Sequence, residues 1–213
     1  HLCVSTRPDL SYICSTLSQF LDNPGSEHVR AAKHVLRYLR GTIDQKLIYR
    51  RDENGIKLLG YSDADWAGNV DNRKSTSGYC FYFQGNSAAI SWRSRLQKSV
   101  ALSTAEAEFH SLSSAAQECC HLQTILRDFG IMSLGPTVIQ FDNQACIAIS
   151  KNPVQQDKTK RIAIRLCYVR DLLLDGTLDL EYCPTDRMNA DLLTKALGKM
   201  KTAYFRNLLA GTV

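Results

Sequence analysis

The chain's 213 residues are 44% hydrophobic and 8% aromatic, enough for an ordinary packed core in one large domain or two modest ones. Its longest unbroken apolar runs, such as Ala145 to Ile149, are far short of the roughly 18 residues of a membrane span, and no charged-then-apolar leader opens it, so neither a membrane nor a secreted protein is expected. Twenty-six Lys and Arg against 21 Asp and Glu leave +5, which tolerates a polyanionic partner without demanding one.

His1 leads at once into ordinary globular sequence, so the chain is expected to be a piece of something longer. SEHVRAAKHVLRYLRG predicts an amphipathic helix with Ser26 as N-cap, Gly41 just past its end, and Val29, Ala32, Val35, Leu36 and Leu39 on one face. After the charged turn RRDENG, three antiparallel strands are predicted from IKLLGYSD (starting near Ile56), GYCFYF and AISW. The longest helix follows, with Ser103 or Thr104 as N-cap, a capping box between Ser103 and Glu106, and Gly130 at its end. Its apolar stripe is Leu112, Ala115, Cys119, Leu122 and Leu126. TVIQFD then reads as a strand, NQACIAIS and IAIRLCYVRDLLLDG as helices, TLDLEYCP as a strand, and MNADLLTKAL and KTAYFRNLLA as closing helices. Three strands, a long helix, then alternating strand and helix describe an α/β domain with a mixed sheet.

The eight cysteines show no CxxC or Cys/His ligand spacing and several lie in apolar runs, so they read as small buried hydrophobes of an intracellular, reducing compartment. No HxxxH or HExxH pattern suggests zinc. Basic residues cluster at Lys151, Lys158, Lys160, Arg161, Arg165 and Arg170, and again at Arg93, Arg95 and Lys98. Each cluster reads either as a solvated face or as a track for phosphates.

Four acids carry the chemistry. Asp63 shares one strand face with Tyr61 and Asp65 by period-two alternation. Glu106 and Glu108 stand about 200° apart on their helix, so only one faces the sheet. Glu108 lies on the apolar stripe four residues before Leu112, whereas Glu106 lines up with His110, Ser113 and Gln117. Asp142 ends a strand and, taken alone, reads as the N-cap of the next helix. Asp191 sits inside NADLLTKAL and, taken alone, is an ordinary surface acid. Together, Asp63, Glu108, Asp142 and Asp191 describe an oxygen-only site for two hard divalent cations, Mg²⁺ or Mn²⁺. Two such ions about 3.5 to 4 Å apart can activate water and stabilise the leaving oxygen of a phosphodiester.

The ordered blocks STRPDLSY, AAKHVLRYLRGT, GYSDADWAG, KSTSGYCFYF, AISWRSRLQKSVALSTAEAEF, FDNQACIAISKNP and YCPTDRMNADLLTKAL resemble the copia-type LTR retrotransposon Pol polyprotein at its reverse transcriptase to ribonuclease H junction. The resemblance implies a five-stranded mixed sheet flanked by helices. It also implies a carboxy-terminal remnant of reverse transcriptase at 1–53, a ribonuclease H domain at 54–197 and a terminal helix or tail at 198–213. The same four acids become catalytic metal ligands, with Asp65, Glu106 and Asn143 behind them. The implied substrate is the RNA strand of an RNA:DNA hybrid, and the implied partner is the upstream polymerase domain. Arg93, Arg95, Lys98, Asn143, Lys158, Lys160 and Arg161 are the residues expected to hold nucleic acid. The implied location is cytoplasmic, in a virus-like particle or otherwise, with the nucleus as the alternative.

This chain departs from the pattern HDKTKHIDIRYHFVRD, carrying Gln156, Arg161, Ala163, Leu166 and Cys167 in place of His, His, an acid, Tyr and His, and Ala196 replaces the usual Pro of LTKPL. No His follows His121 to shuttle a proton, and no YxDD-like pair is present for polymerisation. Two other readings stay open: a degenerate or domesticated copy that binds nucleic acid or a partner, and a different nuclease of the same fold class.

Overall fold

The computed structural model describes residues 1–51, 55–84, 87–131, 135–152 and 160–212, the side chains of Lys160 and Arg161 excepted. Among the described residues, five strands form one sheet in the order β3-β2-β1-β4-β5. They are β1 (Leu58–Asp65), β2 (Thr76–Phe83), β3 (Ala89–Leu96), β4 (Thr137–Phe141) and β5 (Leu178–Tyr182). β1, β2 and β3 pair antiparallel, and β4 and β5 add in parallel. The expected mixed sheet is therefore present, with β1 starting at Leu58 rather than Ile56 and β2 and β3 longer than their apolar cores.

The helices are α1 (Leu2–Ser5), α2 (Ser11–Ser18), α3 (Ser26–Arg40), α4 (Thr104–Asp128), α5 (Gln144–Lys151), α6 (Lys160–Leu174) and α7 (Lys199–Ala210). Period two in β2 divides its side chains between two cores. Tyr79 and Phe81 join Phe109, Leu112, Ala115 and Cys119 of α4 and Leu166 and Val169 of α6, whereas Cys80 and Tyr82 join Leu192, Leu193, Phe205 and Leu209. Both faces of the sheet are thus covered.

Three local expectations are corrected. The N-cap of α3 is Gly25, whose N–H donates to His28 Nδ1 at 2.9 Å, and no residue of α3 is buried. Val29 and Leu36 lie exposed on the face predicted to pack. The capping box of α4 is only half formed: Ser103 accepts the Glu106 N–H, but the Glu106 carboxylate accepts the Leu102 N–H instead of that of Ser103. MNADLLTKAL is not an α-helix; residues Asn189–Leu193 form a 3₁₀ turn behind another at Thr185–Arg187.

Residues 1–51 reach the sheet domain through short contacts. Trp92 Nε1 donates to the Cys3 carbonyl at 2.7 Å. Ile48 pairs its backbone with Ala88 and Ala210, at 2.9 Å each. A buried Arg7–Asp9 ion pair at 2.7 Å is tied to α3 by the Tyr38 hydroxyl, also 2.7 Å from Asp9. The expected boundary at 53/54 falls on residues outside those described.

Candidate metal centre

Strand register assembles the site. Ser62 is aligned with Phe141 across the parallel β1/β4 pair, so Asp63 and Asp142 follow side by side at the carboxyl ends of two central strands. That end of an open sheet is where α/β folds place their ligands. From α4, Glu108 reaches over the same end, and Ser111, one turn on, donates to the Asp63 carbonyl at 2.7 Å. Asp63, Glu108 and Asp142 each offer a ligand atom within 4.8 Å of the other two.

Asp191 arrives from the opposite face. It stands beside Asp63, and both are buried at 2% exposure. This approach depends on Gly78, the β2 residue aligned with Asp63. A Cβ there would lie 2.7 Å from Thr194 Cγ2 and 2.9 Å from Leu193 Cβ, so only glycine lets the 189–194 turn pack this closely. The Thr194 hydroxyl donates to Asp63 Oδ2. Lys195 Nζ is 2.8 Å from Asp191 Oδ1 and 3.9 Å from Asp63 Oδ2. At 2.8 Å the Lys195 ammonium is in direct ion-pair contact with Asp191 Oδ1.

The electrostatics follow from burial. Desolvation pushes the Glu108 carboxyl up to about 10, with the Asp63 and Asp142 charges adding to it. Desolvation also raises Asp63, Asp142 and Asp191, against the pull of Lys195 and nearby hydroxyls. Burial opposes the Lys195 charge, but Asp63, Asp191 and Asp142 outweigh it and hold the ammonium above its usual range. Glu108 Oε2 is buried with no hydrogen-bond partner among the described residues. An orphaned carboxylate oxygen among other carboxylates fits a hard divalent cation, and the all-oxygen donor set suits Mg²⁺ or Mn²⁺.

Other expected residues lie elsewhere. Glu106 is spent on Leu102, and Asn143 Oδ1 accepts the Cys146 N–H at 3.0 Å as the N-cap of α5. Asp65 lies at the end of β1, half-buried, its carboxyl raised by desolvation. Arg93, Arg95 and Lys98 line a recess on the β3 side with Tyr79, His110 and Gln117. Of the other basic stretch, Lys151 pairs with Asp179 at 2.7 Å, and Arg170 donates to the Ile149 and Asn152 carbonyls at 2.6 Å. Lys158, with Gln156, lies outside the described residues, as do the side chains of Lys160 and Arg161. Thr194, Lys195 and Ser111 were missed in the sequence, although the four-residue spacing from Asp191 to Lys195 is a pairing signal.

No family model matches the chain. It is 40% identical over 206 residues to the retrovirus-related Pol polyprotein from transposon TNT 1-94 of Nicotiana tabacum, spanning 97% of this chain and 15% of that relative. It is 49% identical over 122 residues to the secreted RxLR effector protein 161 of Plasmopara viticola, covering 57% of this chain and 84% of the relative. Among solved structures, it resembles the N-terminal RNase H domain of a Mycobacterium tuberculosis protein, solved as a fusion with maltose binding protein. The TM-score is 0.50 at 12% identity, over 71% of this chain and 96% of the other.

Proposed function

From the premise that this chain belongs to the family of retrovirus-related transposon Pol polyproteins and carries a ribonuclease H-like fold, we propose that it is a divalent-metal-dependent endonuclease. Its substrate is the RNA strand of RNA:DNA hybrids made in reverse transcription, and its partner is the upstream polymerase domain of the same polyprotein. The observation that carries the reading is the convergence of Asp63, Glu108 and Asp142 around the unpartnered Glu108 Oε2.

Asp63, Glu108 and Asp142 hold the cation. When bound, it supplies Lewis-acid polarisation of the phosphodiester and a water acidic enough to attack at neutral pH. The chain does the positioning. Thr194 orients Asp63 through its hydroxyl, Ser111 fixes the backbone beneath it, and Thr185 Oγ1 donates to Asp142 Oδ2 at 3.2 Å. Burial of Asp63 and Glu108 removes water that would otherwise compete for their oxygens, which strengthens each contact made there. Arg93, Arg95 and Lys98 offer cations to the phosphates of the hybrid outside the acidic centre.

The test is incubation of the purified chain with labelled hybrid in Mg²⁺, in Mn²⁺ and in chelator, beside Asp142→Asn. Cleavage only with metal and only by wild type is expected; cleavage that survives chelator or Asp142→Asn overturns the reading. A second reading, nucleic-acid or partner binding with little cleavage, is favoured by the departures at Gln156, Arg161, Ala163, Leu166 and Cys167. Hybrid binding with no cleavage in either metal would select it.

A further inference from the structure

The four acids do not share one environment. Asp63, Glu108 and Asp142 converge with an orphaned oxygen at Glu108, whereas the charge on Asp191 is already met by the Lys195 ammonium at 2.8 Å. Lys195 also faces Asp63 Oδ2 at 3.9 Å, so it stands on the side of Asp63 turned toward Asp191. Asp63 and Asp191 are both buried, and buried neighbouring carboxylates can be ionised together only with a cation beside them. An ammonium and a divalent ion cannot both sit against Asp191 without strong repulsion at this range. Lys195 borders a recess lined by Leu10, Tyr38, Leu192 and Leu197, which gives its four-carbon stem room to swing aside.

Resting on the reading of this centre as a divalent-cation site, we propose that Lys195 is a resident counter-cation on its Asp191 side. The first ion is held by Asp63, Glu108 and Asp142. A second ion gains Asp191 only when the Lys195 ammonium leaves, so the two positions fill in order. The lysine keeps the acids paired while metal is absent, at the cost of weakening the second position.

The experiment is calorimetric titration of the full chain with Mn²⁺, without substrate, together with thermal melting in chelator and in Mn²⁺. Wild type should bind one ion tightly and a second weakly or not at all. Lys195→Met should leave the first step in place and tighten the second by about tenfold or more, equivalent to about 1.4 kcal/mol. Lys195→Arg keeps the charge and should keep the second step weak. In chelator Lys195→Met should melt below wild type, and Mn²⁺ should restore it.

Identical binding steps in wild type and Lys195→Met, or a methionine variant that Mn²⁺ fails to fold or stabilise, would overturn the proposal. The Asp142→Asn arm separates the two ideas. If its strong step persists, the centre itself is misassigned whatever Lys195 does. If that step disappears while Lys195→Met behaves as wild type, only the counter-cation proposal falls.

Discussion

Asn143 Oδ1 accepts the Cys146 N–H at 3.0 Å, and this hydrogen bond frees its neighbour Asp142 from capping α5. The cap that the sequence suggested for Asp142 is thus supplied by its neighbour, which leaves one structural and one site-facing side chain. Asn143→Ala should lower stability by about 1 kcal/mol, the usual worth of an N-cap, and leave Mn²⁺ binding intact. Asp142→Asn should do the reverse, keeping the chelator melting point and losing metal-induced stabilisation. Denaturant melts of both variants with and without Mn²⁺ check the pair, and loss of metal binding in Asn143→Ala would contradict the division.

Glu106 and Glu108 divide in the same manner. Glu106 is as buried as Glu108, but its carboxylate accepts the Leu102 N–H at 2.8 Å and belongs to the start of α4. Glu106→Ala should cost about 1 kcal/mol of stability through that lost hydrogen bond without abolishing cleavage. Glu108→Gln, nearly isosteric, should fold normally and lose both cleavage and the melting-point rise that Mn²⁺ gives wild type. That rise is set by mass action, about 2.7 kcal/mol when metal stands at 100 times its dissociation constant. Parallel melting and cleavage assays decide it; a Glu106→Ala protein inactive at full stability would reverse the assignment.

Much of this was legible because it is periodic. The inward placement of Glu108 follows from its position one turn before Leu112, and the strands follow from apolar runs broken by polar turns. The environment of Asp191 was not legible. NADLLTKAL carries helical spacing, yet its turn lies flat against β2 because Gly78 offers no Cβ at the point of contact. Nothing near Asp191 in sequence announces a glycine more than a hundred residues away. The exposed face of α3 also escaped reading, since amphipathic spacing shows which side can pack but not that anything packs there.

Gly78→Ala tests that contact. Its new methyl would have to displace Leu193 and Thr194, an overpacking that typically costs about 1 to 3 kcal/mol. Because Thr194 holds Asp63 and the same turn carries Asp191 and Lys195, metal affinity should fall along with stability. Calorimetric Mn²⁺ titration of a folded Gly78→Ala protein should show that loss; unchanged affinity would mean the turn does not position the acids.

Limited proteolysis addresses the proposed seam between the reverse transcriptase remnant and the ribonuclease H domain. Cleavage is expected between Arg50 and Gly55. The backbone pairing of Ile48 with Ala88 and Ala210, and the Trp92 bond to Cys3, should hold the two fragments together afterwards. Gel filtration of the nicked protein should therefore give one peak. Separation into two peaks would mean these contacts contribute little, and resistance to cleavage would move the seam elsewhere.

The last prediction concerns how the hybrid is held. Sequence-independent grip needs cations along phosphates more than contacts to bases, and each neutralised phosphate steepens the fall of affinity with salt. In the basic stretch after Asp142, Lys151 and Arg170 are already engaged by Asp179 and by backbone carbonyls. Arg93, which hydrogen-bonds Tyr79, lines one recess with Arg95, Lys98 and His110 on the β3 side of α4. Replacing these three with Ala should weaken hybrid binding at low salt and flatten the slope of log K against log salt by up to about three units. Lys158, Lys160 and Arg161, replaced together, provide the matching arm. Both sets belong in an Asp142→Asn background, so that binding is read without cleavage. A flattened slope from the β3 set alone would put the substrate path along that edge of the sheet, and an unchanged slope from both would make each cluster an ordinary solvated face.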